Sequence, residues 1–267
     1  MRIEISTTYK HFLSAEEAVL ECYSLGFSYM QLGAAHKKAD IGLLKKLKDE
    51  LHLKYSMHAP FPNTIGIDDN PSNPVSNKEV FLNSIKNAHK LGANPIVVHP
   101  GTPLKHENGV EKLKEFTREM ERLASKYDLT VCLENKTKKK KFASNLQNIA
   151  DILDEINSKN LGMCFDTSHA RTTCNTEEEV FELFKKYFDY IKAIHLVDTH
   201  GKTDEHLPPS YGKVAIEQII SHCVKNNYMG PLTFEVHNVP ENMVIEGHRF
   251  AREALSEDYY DKNIEGR

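Results

Sequence analysis

Hydrophobic and polar positions follow two different rhythms along the chain. Eight short runs have the length of β-strands and are rich in apolar and β-branched residues. These runs are Ile3–Ser6, Tyr29–Leu32, Tyr55–His58, Ile96–His99, Thr130–Glu134, Gly162–Asp166, Ile191–Leu196 and Leu232–Val236. Longer stretches with apolar residues at helical spacing lie between them, among them Ala15–Leu25, Lys78–Leu91, Val110–Tyr127, Leu146–Ile156, Glu177–Phe188 and Ile216–Asn226. The pattern therefore predicts strands and helices that alternate along the chain.

This alternation predicts an α/β fold with a parallel sheet and right-handed crossovers. Eight such units in 267 residues match a closed (β/α)8 TIM barrel better than an open doubly wound sheet, which is the structural alternative. The sequence contains neither GxGxxG nor a GxxxxGK phosphate loop, so no nucleotide-binding fold is indicated. We expect a single TIM-barrel domain over residues 1–263. Residues 264–267, Ile-Glu-Gly-Arg, resemble either a protease-recognition remnant or a charged tail.

Composition narrows the class of protein. Hydrophobic residues make up 40% of the chain and charged residues 27%, which is typical of a globular protein. No apolar run approaches the roughly 20 residues that span a bilayer, and the start of the chain does not resemble a signal peptide. We therefore expect a cytoplasmic protein with no membrane contact and no obligate protein partner. Five cysteines without CxxC spacing favour buried, reduced thiols, and a net charge of −4 gives no overall attraction to nucleic acid.

One long irregular stretch, Ala59–Ser76, follows the third predicted strand and contains four prolines. Loops of this length within a compact fold are often binding elements, so we expect it to flank or cover a substrate pocket. An exposed insertion is the alternative.

Six of the eight predicted strands finish on a residue that can bind metal. These residues are His58, His99, Glu134, Asp166, His195 and Glu235. Parallel strands in a barrel point their C-terminal ends at the same face, so the six side chains should converge at one mouth. A single such residue at a strand end is more often a capping or hydrogen-bonding group. Six together predict a metal site.

Side-chain parity supports this interpretation, because residues two apart on a strand share a face. The residues two positions before each candidate ligand are small or compact, as a barrel interior requires: Ser56, Val97, Cys132, Cys164, Ala193 and Thr233. The intervening residues are large and apolar, as packing against outer helices requires: Met57, Val98, Leu133, Phe165, Ile194 and Phe234.

Three further candidate ligands, His169, Asp204 and His206, follow closely in the sequence and extend the set to nine. Neutral imidazole and carboxylate are ligands of zinc, manganese and iron, and nine are more than one ion can use. Two or three ions are therefore predicted, with Glu134 or Glu235 able to bridge neighbours. Closely spaced ions can activate a water and stabilise both oxygens of a phosphoester displacement.

The segments that carry these ligands resemble the endonuclease IV family (AP endonuclease family 2) and its sister group of xylose isomerase-like barrels. The resemblance spans nearly the whole chain. It is carried by His58–Phe61, Val97–Gly101, Leu133–Asn135, Cys164–Ala170, His195–Asp198, Asp204–Pro209 and Phe234–Val236. It implies a hydrolase that binds three zinc ions through the nine positions and cleaves DNA 5′ of abasic sites. It also implies that Glu134 bridges two ions and that His169, Asp204 and His206 hold the third.

The sister group implies an alternative, a sugar or sugar-phosphate isomerase or epimerase. Such enzymes need one ion, Mn²⁺, Mg²⁺ or Zn²⁺, at the counterparts of Glu134, Asp166, His195 and Glu235, and two carboxylates assist proton transfer. The catalytic candidates are Glu134 and Glu235. The loop Gly33–Lys38 offers no arginine to enter a DNA stack and the chain has no Trp, which favours this alternative. A catalytically silent barrel that binds a ligand or partner is a third hypothesis.

A run of lysines begins two residues after Glu134, in a loop expected to border the mouth: Lys136, Lys138, Lys139, Lys140 and Lys141. Such a loop would attract the phosphates of damaged DNA or of a phosphorylated sugar, although charge runs are usually solvated faces. His200 and His237 lie close to ligand positions and are predicted either to orient ligands or to lie on the surface.

Overall fold

The computed structural model of the chain describes residues 1–36, 38–60, 78–101, 109–139 and 142–256. Most of the predicted proline-rich loop, Lys140, Lys141 and the four-residue tail lie outside the described residues. Over the described ranges, no helix combines the length and the apolar character that crossing a membrane requires.

The eight strands close into a parallel barrel in which each strand pairs with its neighbours in chain order and β1 pairs with β8. Their bounds are β1 Arg2–Ser6, β2 Tyr29–Leu32, β3 Lys54–Ala59, β4 Ile96–Val98, β5 Val131–Glu134, β6 Leu161–Asp166, β7 Ile191–His195 and β8 Pro231–Phe234. The predicted (β/α)8 TIM barrel is confirmed, and the open sheet is excluded because the ring is closed.

Helices surround the barrel and cover its outer face. Within the described ranges they are α1 Ala15–Ser24, α2 Ile41–Glu50, α3 Lys78–Leu91, α4 Gly109–Ser125, α5 Leu146–Ile156, α6 Thr167–Arg171, α7 Glu177–Lys186, α8 Ile216–Lys225 and α9 Glu241–Ala254. Several begin at a polar N-cap, such as Ser14 before α1, whose hydroxyl accepts the Glu17 N–H while Glu17 reaches back to the Ser14 N–H. Sequence-local signals therefore fix where these helices start.

The barrel interior matches the predicted parity. Val97, Cys132, Cys164 and Ala193 form a buried apolar cluster of their own, separate from the larger core between strands and helices. All six intervening large residues belong to that larger core. The compact interior leaves room above it for polar side chains at the C-terminal mouth, which is where TIM barrels carry their sites.

Some predicted strand boundaries are wrong by one or two residues. His99 and Glu235 lie one residue beyond β4 and β8, because the backbone ladders end at Val98 and Phe234, and β3 continues one residue past His58. The side chains still reach the mouth, since strand pairing and side-chain parity do not depend on the exact last ladder residue.

Candidate metal centre

All nine candidate ligands lie at the C-terminal mouth and form three groups, two of which share Glu134. Within each group the ligand atoms lie within 4.8 Å of one another. The groups are Glu134, Asp166, His195 and Glu235; His58, His99 and Glu134; and His169, Asp204 and His206. Each group has the nitrogen and oxygen donors that zinc, manganese and iron accept.

The four-residue group lies deepest. Glu134, Asp166 and His195 end three consecutive strands, and the parallel pairing of β6 with β7 sets Asp166 directly beside His195. His195 Nδ1 lies 3.1 Å from Glu235 Oε2, 3.4 Å from Glu134 Oε1 and 3.6 Å from Asp166 Oδ2. One imidazole nitrogen therefore faces three carboxylates in a buried pocket.

Glu134 presents its two oxygens to different neighbours. Its Oε2 lies 3.1 Å from His58 Nε2 and 3.0 Å from His99 Nε2, whereas its Oε1 lies 3.1 Å from His169 Nδ1 and 3.4 Å from His195 Nδ1. The carboxylate is fully buried. This is the geometry of a carboxylate that could bridge two ions.

The third group is organised by α6 and the loop after β7. Asp204 Oδ2 lies 3.0 Å from both His169 Nε2 and His206 Nε2. Asp166 is the N-cap of α6, and its Oδ1 accepts the His169 N–H over 2.6 Å. This hydrogen bond holds the first turn of α6, which carries His169, next to the end of β6. The Asp198–Leu207 backbone bridge closes the other loop and holds Asp204 and His206 at the mouth.

Three buried polar atoms test whether the centre suits a cation. Glu134 Oε1, Asp166 Oδ2 and His195 Nδ1 have no hydrogen-bond partner in the part of the chain that the structure describes. Leaving buried polar atoms unsatisfied is costly, by about 1–3 kcal/mol each and by more for charged groups. All three belong to the four-residue group, and a divalent cation would satisfy them together. The residues present therefore fit a metal ion.

The charges of neighbouring side chains shift the pKa values of several candidate ligands. Burial raises the pKa of Glu134, but the charges of Lys136 and His99 outweigh burial and hold that pKa well below its usual range. Burial lowers the pKa of His169, but Asp166 and the contacts with Asp204 and Glu134 raise it to about 10. The same balance, with Asp204 as the main partner, raises the pKa of His206 to about 9. Without metal, these histidines therefore carry protons that a metal would displace.

Sequence reasoning missed three residues that hold the ligands in place. Gln31 Nε2 lies 3.1 Å from His195 Nε2, and Ser168 Oγ donates to Asp204 Oδ1 over 2.7 Å. Asn135 Nδ2 donates to the Asp166 carbonyl and Asn135 Oδ1 accepts the Asp166 N–H over 2.7 Å. A signal for Gln31 was present, since a polar residue near the end of a buried strand needs a partner.

The two predicted orienting histidines behave differently. The ring of His237 stacks on the ring of His206 at 4.1 Å between centroids. The side chain of His200 is 57% exposed and pairs with Glu205 instead of a candidate ligand. Only His237 therefore supports the centre.

A pocket of about 490 Å³ opens above the three groups. Six of the nine candidate ligands line it, together with Lys136, His11 and His237. Lys136 Nζ lies 2.9 Å from His99 Nε2 and 3.9 Å from Glu134 Oε1, so the first lysine of the run lies at the centre itself. A small polar substrate or an extruded part of a larger one could enter this volume.

Comparison with known proteins identifies a family that matches this chain. Residues 19–254 match the family model described as a xylose isomerase-like TIM barrel. The "Probable endonuclease 4" of Mycoplasmoides gallisepticum is 28% identical over 210 residues, covering 73% of this chain and 69% of that protein. The protein of that name from Aquifex aeolicus is 27% identical over 225 residues, covering 77% of each chain.

Solved structures share the fold at lower identity. A D-tagatose 3-epimerase-like protein superposes with a TM-score of 0.79 at 23% identity, covering 98% of this chain and 99% of that chain. An L-ribulose 3-epimerase superposes with a TM-score of 0.78 at 15% identity, covering 100% and 98%. These structures support the architecture alone. Because the family model covers most of the chain, the protein belongs to the xylose isomerase-like TIM-barrel family.

Proposed function

We propose that this chain is a divalent-metal phosphodiester hydrolase, with zinc as its metal, that cleaves DNA 5′ of abasic sites. The observation that carries the proposal is the presence of three adjacent ligand groups with Glu134 shared between two of them. A one-metal isomerase has no need for His58 and His99, nor for His169, Asp204 and His206. All nine residues are accounted for if the centre holds two or three ions.

The positions of the residues support this reaction. Bound divalent ions supply Lewis-acid stabilisation of phosphate oxygens and a water that ionises near neutral pH. Glu235 lines the pocket and Glu134 lies buried beside it in the same ligand group, so both carboxylates would help to hold the ions at this end of the pocket. Lys136 lies at the same wall and adds an ammonium that attracts the phosphate. Ser168 and Asn135 fix Asp204 and Asp166, so the site is organised before substrate arrives.

Two lines support the nucleic-acid substrate. Relatives at 27–28% identity over most of the chain carry the name "Probable endonuclease 4". The phosphate-attracting lysine loop follows Glu134 directly, and its Lys136 faces the pocket. We therefore assign the phosphodiester of damaged DNA as the preferred substrate.

A sugar or sugar-phosphate isomerase or epimerase is the second candidate, and one observation favours it. The four-residue group is complete by itself and could hold a single Mn²⁺, Mg²⁺ or Zn²⁺ beneath a pocket of about 490 Å³, a volume suited to a sugar. In that case Glu134 and Glu235 would exchange protons with adjacent sugar carbons. The L-ribulose 3-epimerase and the D-tagatose 3-epimerase-like protein also share this architecture.

Strand cleavage tests the proposal. Zinc-reconstituted protein is incubated with a labelled duplex that contains one abasic site, beside an undamaged duplex and the Glu235→Gln variant. We expect wild-type protein alone to cut, and to cut 5′ of the abasic site. Metal-loaded wild-type protein that leaves the abasic strand intact would reject the hydrolase and direct the search to ketoses and their phosphates.

A further inference from the structure

A second cavity lies beside the candidate metal centre. It has a volume of about 480 Å³ and is formed between the loop after β5 and the loop after β7. Its lining consists of Lys138, Lys139, Lys202, three threonines and Asp204. Asp204 also lines the pocket above the metal centre, so the two cavities meet at this residue. We call the second cavity the lysine pocket.

The lysine pocket has three lysines and one carboxylate, that of Asp204, among its lining residues. Over the ranges that the structure describes, Lys138, Lys139 and Lys202 take part in no ion pair. Asp204 is the acidic residue among the lining residues, and its carboxylate already accepts from Ser168 Oγ and contacts His169 Nε2. Three like charges around one cavity repel one another, and an anion between them would relieve that repulsion.

The first wall of the lysine pocket is anchored to the metal centre. The Lys138 N–H donates to Thr172 Oγ1 over 3.1 Å, and Thr172 Oγ1 donates to the His169 carbonyl over 2.7 Å. His169 belongs to the third ligand group. The backbone of Lys138 is therefore linked by hydrogen bonds to that group.

The opposite wall is held by its own hydrogen bonds. The Gly201 N–H donates to Thr199 Oγ1 over 3.2 Å, and the His200 N–H donates to Glu205 Oε2 over 2.7 Å. These bonds shape the turn that carries Lys202. Lys202 and Lys138 line the same cavity from two different loops. Because the turn is already hydrogen-bonded, a ligand that binds there would order little additional backbone.

We propose that the lysine pocket binds a phosphate group of the substrate. Ammonium groups and threonine hydroxyls donate hydrogen bonds to phosphate oxygens, and the pocket offers both. In a nucleic acid the ligand is a phosphate next to the one at the metal centre, and in a small substrate it is the phosphate of a sugar phosphate. As a substrate subsite it rests on the proposed function, whereas phosphate binding itself is measurable without turnover.

The sequence alone pointed only to the lysine run after Glu134. Lys202 comes from another loop, 64 positions after Lys138, and no pattern in the sequence links the two. The fold brings them to one cavity because the β5 and β7 loops both lie at the C-terminal mouth. This juxtaposition is what distinguishes a pocket from a solvated charge run.

The test compares binding by three metal-loaded variants in a Glu235→Gln background, which prevents cleavage. Lys138→Ala/Lys202→Ala removes two of the three lysine charges of the lysine pocket, and Lys138→Arg/Lys202→Arg keeps all three. Lys86→Ala/Lys90→Ala, at exposed positions of α3, is the matched control. Binding of a fluorescent abasic-site duplex is measured by fluorescence anisotropy at several salt concentrations. Binding of D-fructose 6-phosphate and of D-fructose is measured by calorimetry.

If the phosphate belongs to DNA, the alanine pair weakens duplex binding on the order of tenfold relative to the control pair. It also lowers the slope of log affinity against log salt by about 1 to 2, and the arginine pair retains both values. If the phosphate belongs to a sugar, the alanine pair weakens binding of D-fructose 6-phosphate and leaves that of D-fructose unchanged. Either result supports the lysine pocket.

The proposal is overturned if the alanine pair binds both phosphate probes as the control pair does, or if the parent protein binds neither. Its failure is distinct from failure of the proposed function. Cleavage of abasic DNA with no effect of the alanine pair removes the pocket and keeps the hydrolase. Absence of cleavage with a clear effect on D-fructose 6-phosphate removes the hydrolase and keeps the pocket.

Discussion

The side-chain amide of Gln31 lies against the ring of His195, with 3.1 Å between the two Nε2 atoms, and Gln31 Oε1 has no partner among the described residues. His195 Nδ1 faces the carboxylates of the four-residue group. If a metal binds at Nδ1, the ring proton must lie on Nε2, and the amide can turn to accept that proton at Oε1. Gln31 would then fix the tautomer that the metal requires.

This contact predicts the effect of two substitutions. Gln31→Leu should weaken zinc binding by about 10- to 100-fold, the usual effect of losing the partner of a metal-bound histidine. Gln31→Glu, which can also accept the Nε2 proton, should retain the affinity. Competition with a chromophoric chelator measures both. Equal zinc affinity in wild type and Gln31→Leu would show that the amide does not position His195.

The third ligand group should be required for phosphodiester cleavage and dispensable for sugar isomerisation. His206→Ala removes one of its three ligands, so it should abolish phosphodiester cleavage while it spares most sugar isomerisation, which depends on the four-residue group. Cleavage and isomerase assays on the same metal-loaded preparation measure this. Equal collapse of an isomerase activity would refute the division.

Zinc binding should release protons and strengthen as the pH rises. The carboxylates around His169 and His206 raise their pKa values to about 10 and about 9, so both rings are protonated at neutral pH in the metal-free protein. A metal needs the neutral ring, and protons therefore compete with it less as the pH rises toward 9. Calorimetry in buffers with different ionisation enthalpies counts the released protons. Zinc binding with no proton release between pH 7 and 8 would contradict this electrostatic balance.

A buried carboxylate in the barrel interior, in the layer beneath the candidate ligands, should matter for stability without being a ligand itself. Glu4 accepts from Ser56 Oγ over 2.5 Å and Thr233 Oγ1 over 3.1 Å, and it pairs with Arg2. Glu4→Ala leaves buried hydroxyls without their acceptor, and we expect the free energy of unfolding to fall by about 3–5 kcal/mol.

Urea denaturation measures the loss. The matched control is Glu241→Ala, which breaks a pair between Lys10 and a half-exposed carboxylate and should cost less than about 1 kcal/mol. Zinc stoichiometry should be unchanged in both variants. A Glu4→Ala protein as stable as the control would show that this interior network contributes little.

Much of the barrel and of its mouth was predictable from the sequence, because parity and strand order are local or topological signals. The alternation of Cys164, Phe165 and Asp166 alone fixes which side chains face inward, outward and upward. Three helices, the five-residue α6 together with α2 and α9, were not among the predicted stretches. In α2 only Leu44 is fully buried, and α9 packs through small residues such as Gly247, where an added Cβ would lie 2.8 Å from Pro208. In α2, however, Ile41, Leu44 and Leu47 recur at helical spacing and pack on the core, so the sequence does carry a signal for this helix.

Contacts between distant loops could not be predicted in the same way. The pairing of Gln31 with His195 joins β2 to β7, and the lysine pocket joins Lys138 to Lys202. These contacts depend on side-chain direction at the C-terminal mouth of the barrel, which no periodicity encodes. The ligand types could be read from the sequence, whereas the residues that orient them required the fold.

The number of metal ions per chain tests the three-group centre most directly. Protein reconstituted with excess zinc and then freed of loosely bound ions is analysed by native mass spectrometry, beside His206→Ala and Glu134→Ala. We expect two or three zinc ions in wild type, one fewer in His206→Ala, and a larger loss in Glu134→Ala because two of the groups share that carboxylate. A single ion in wild type and in His206→Ala would contradict the hydrolase centre and favour the one-metal isomerase, and no bound ion would contradict both.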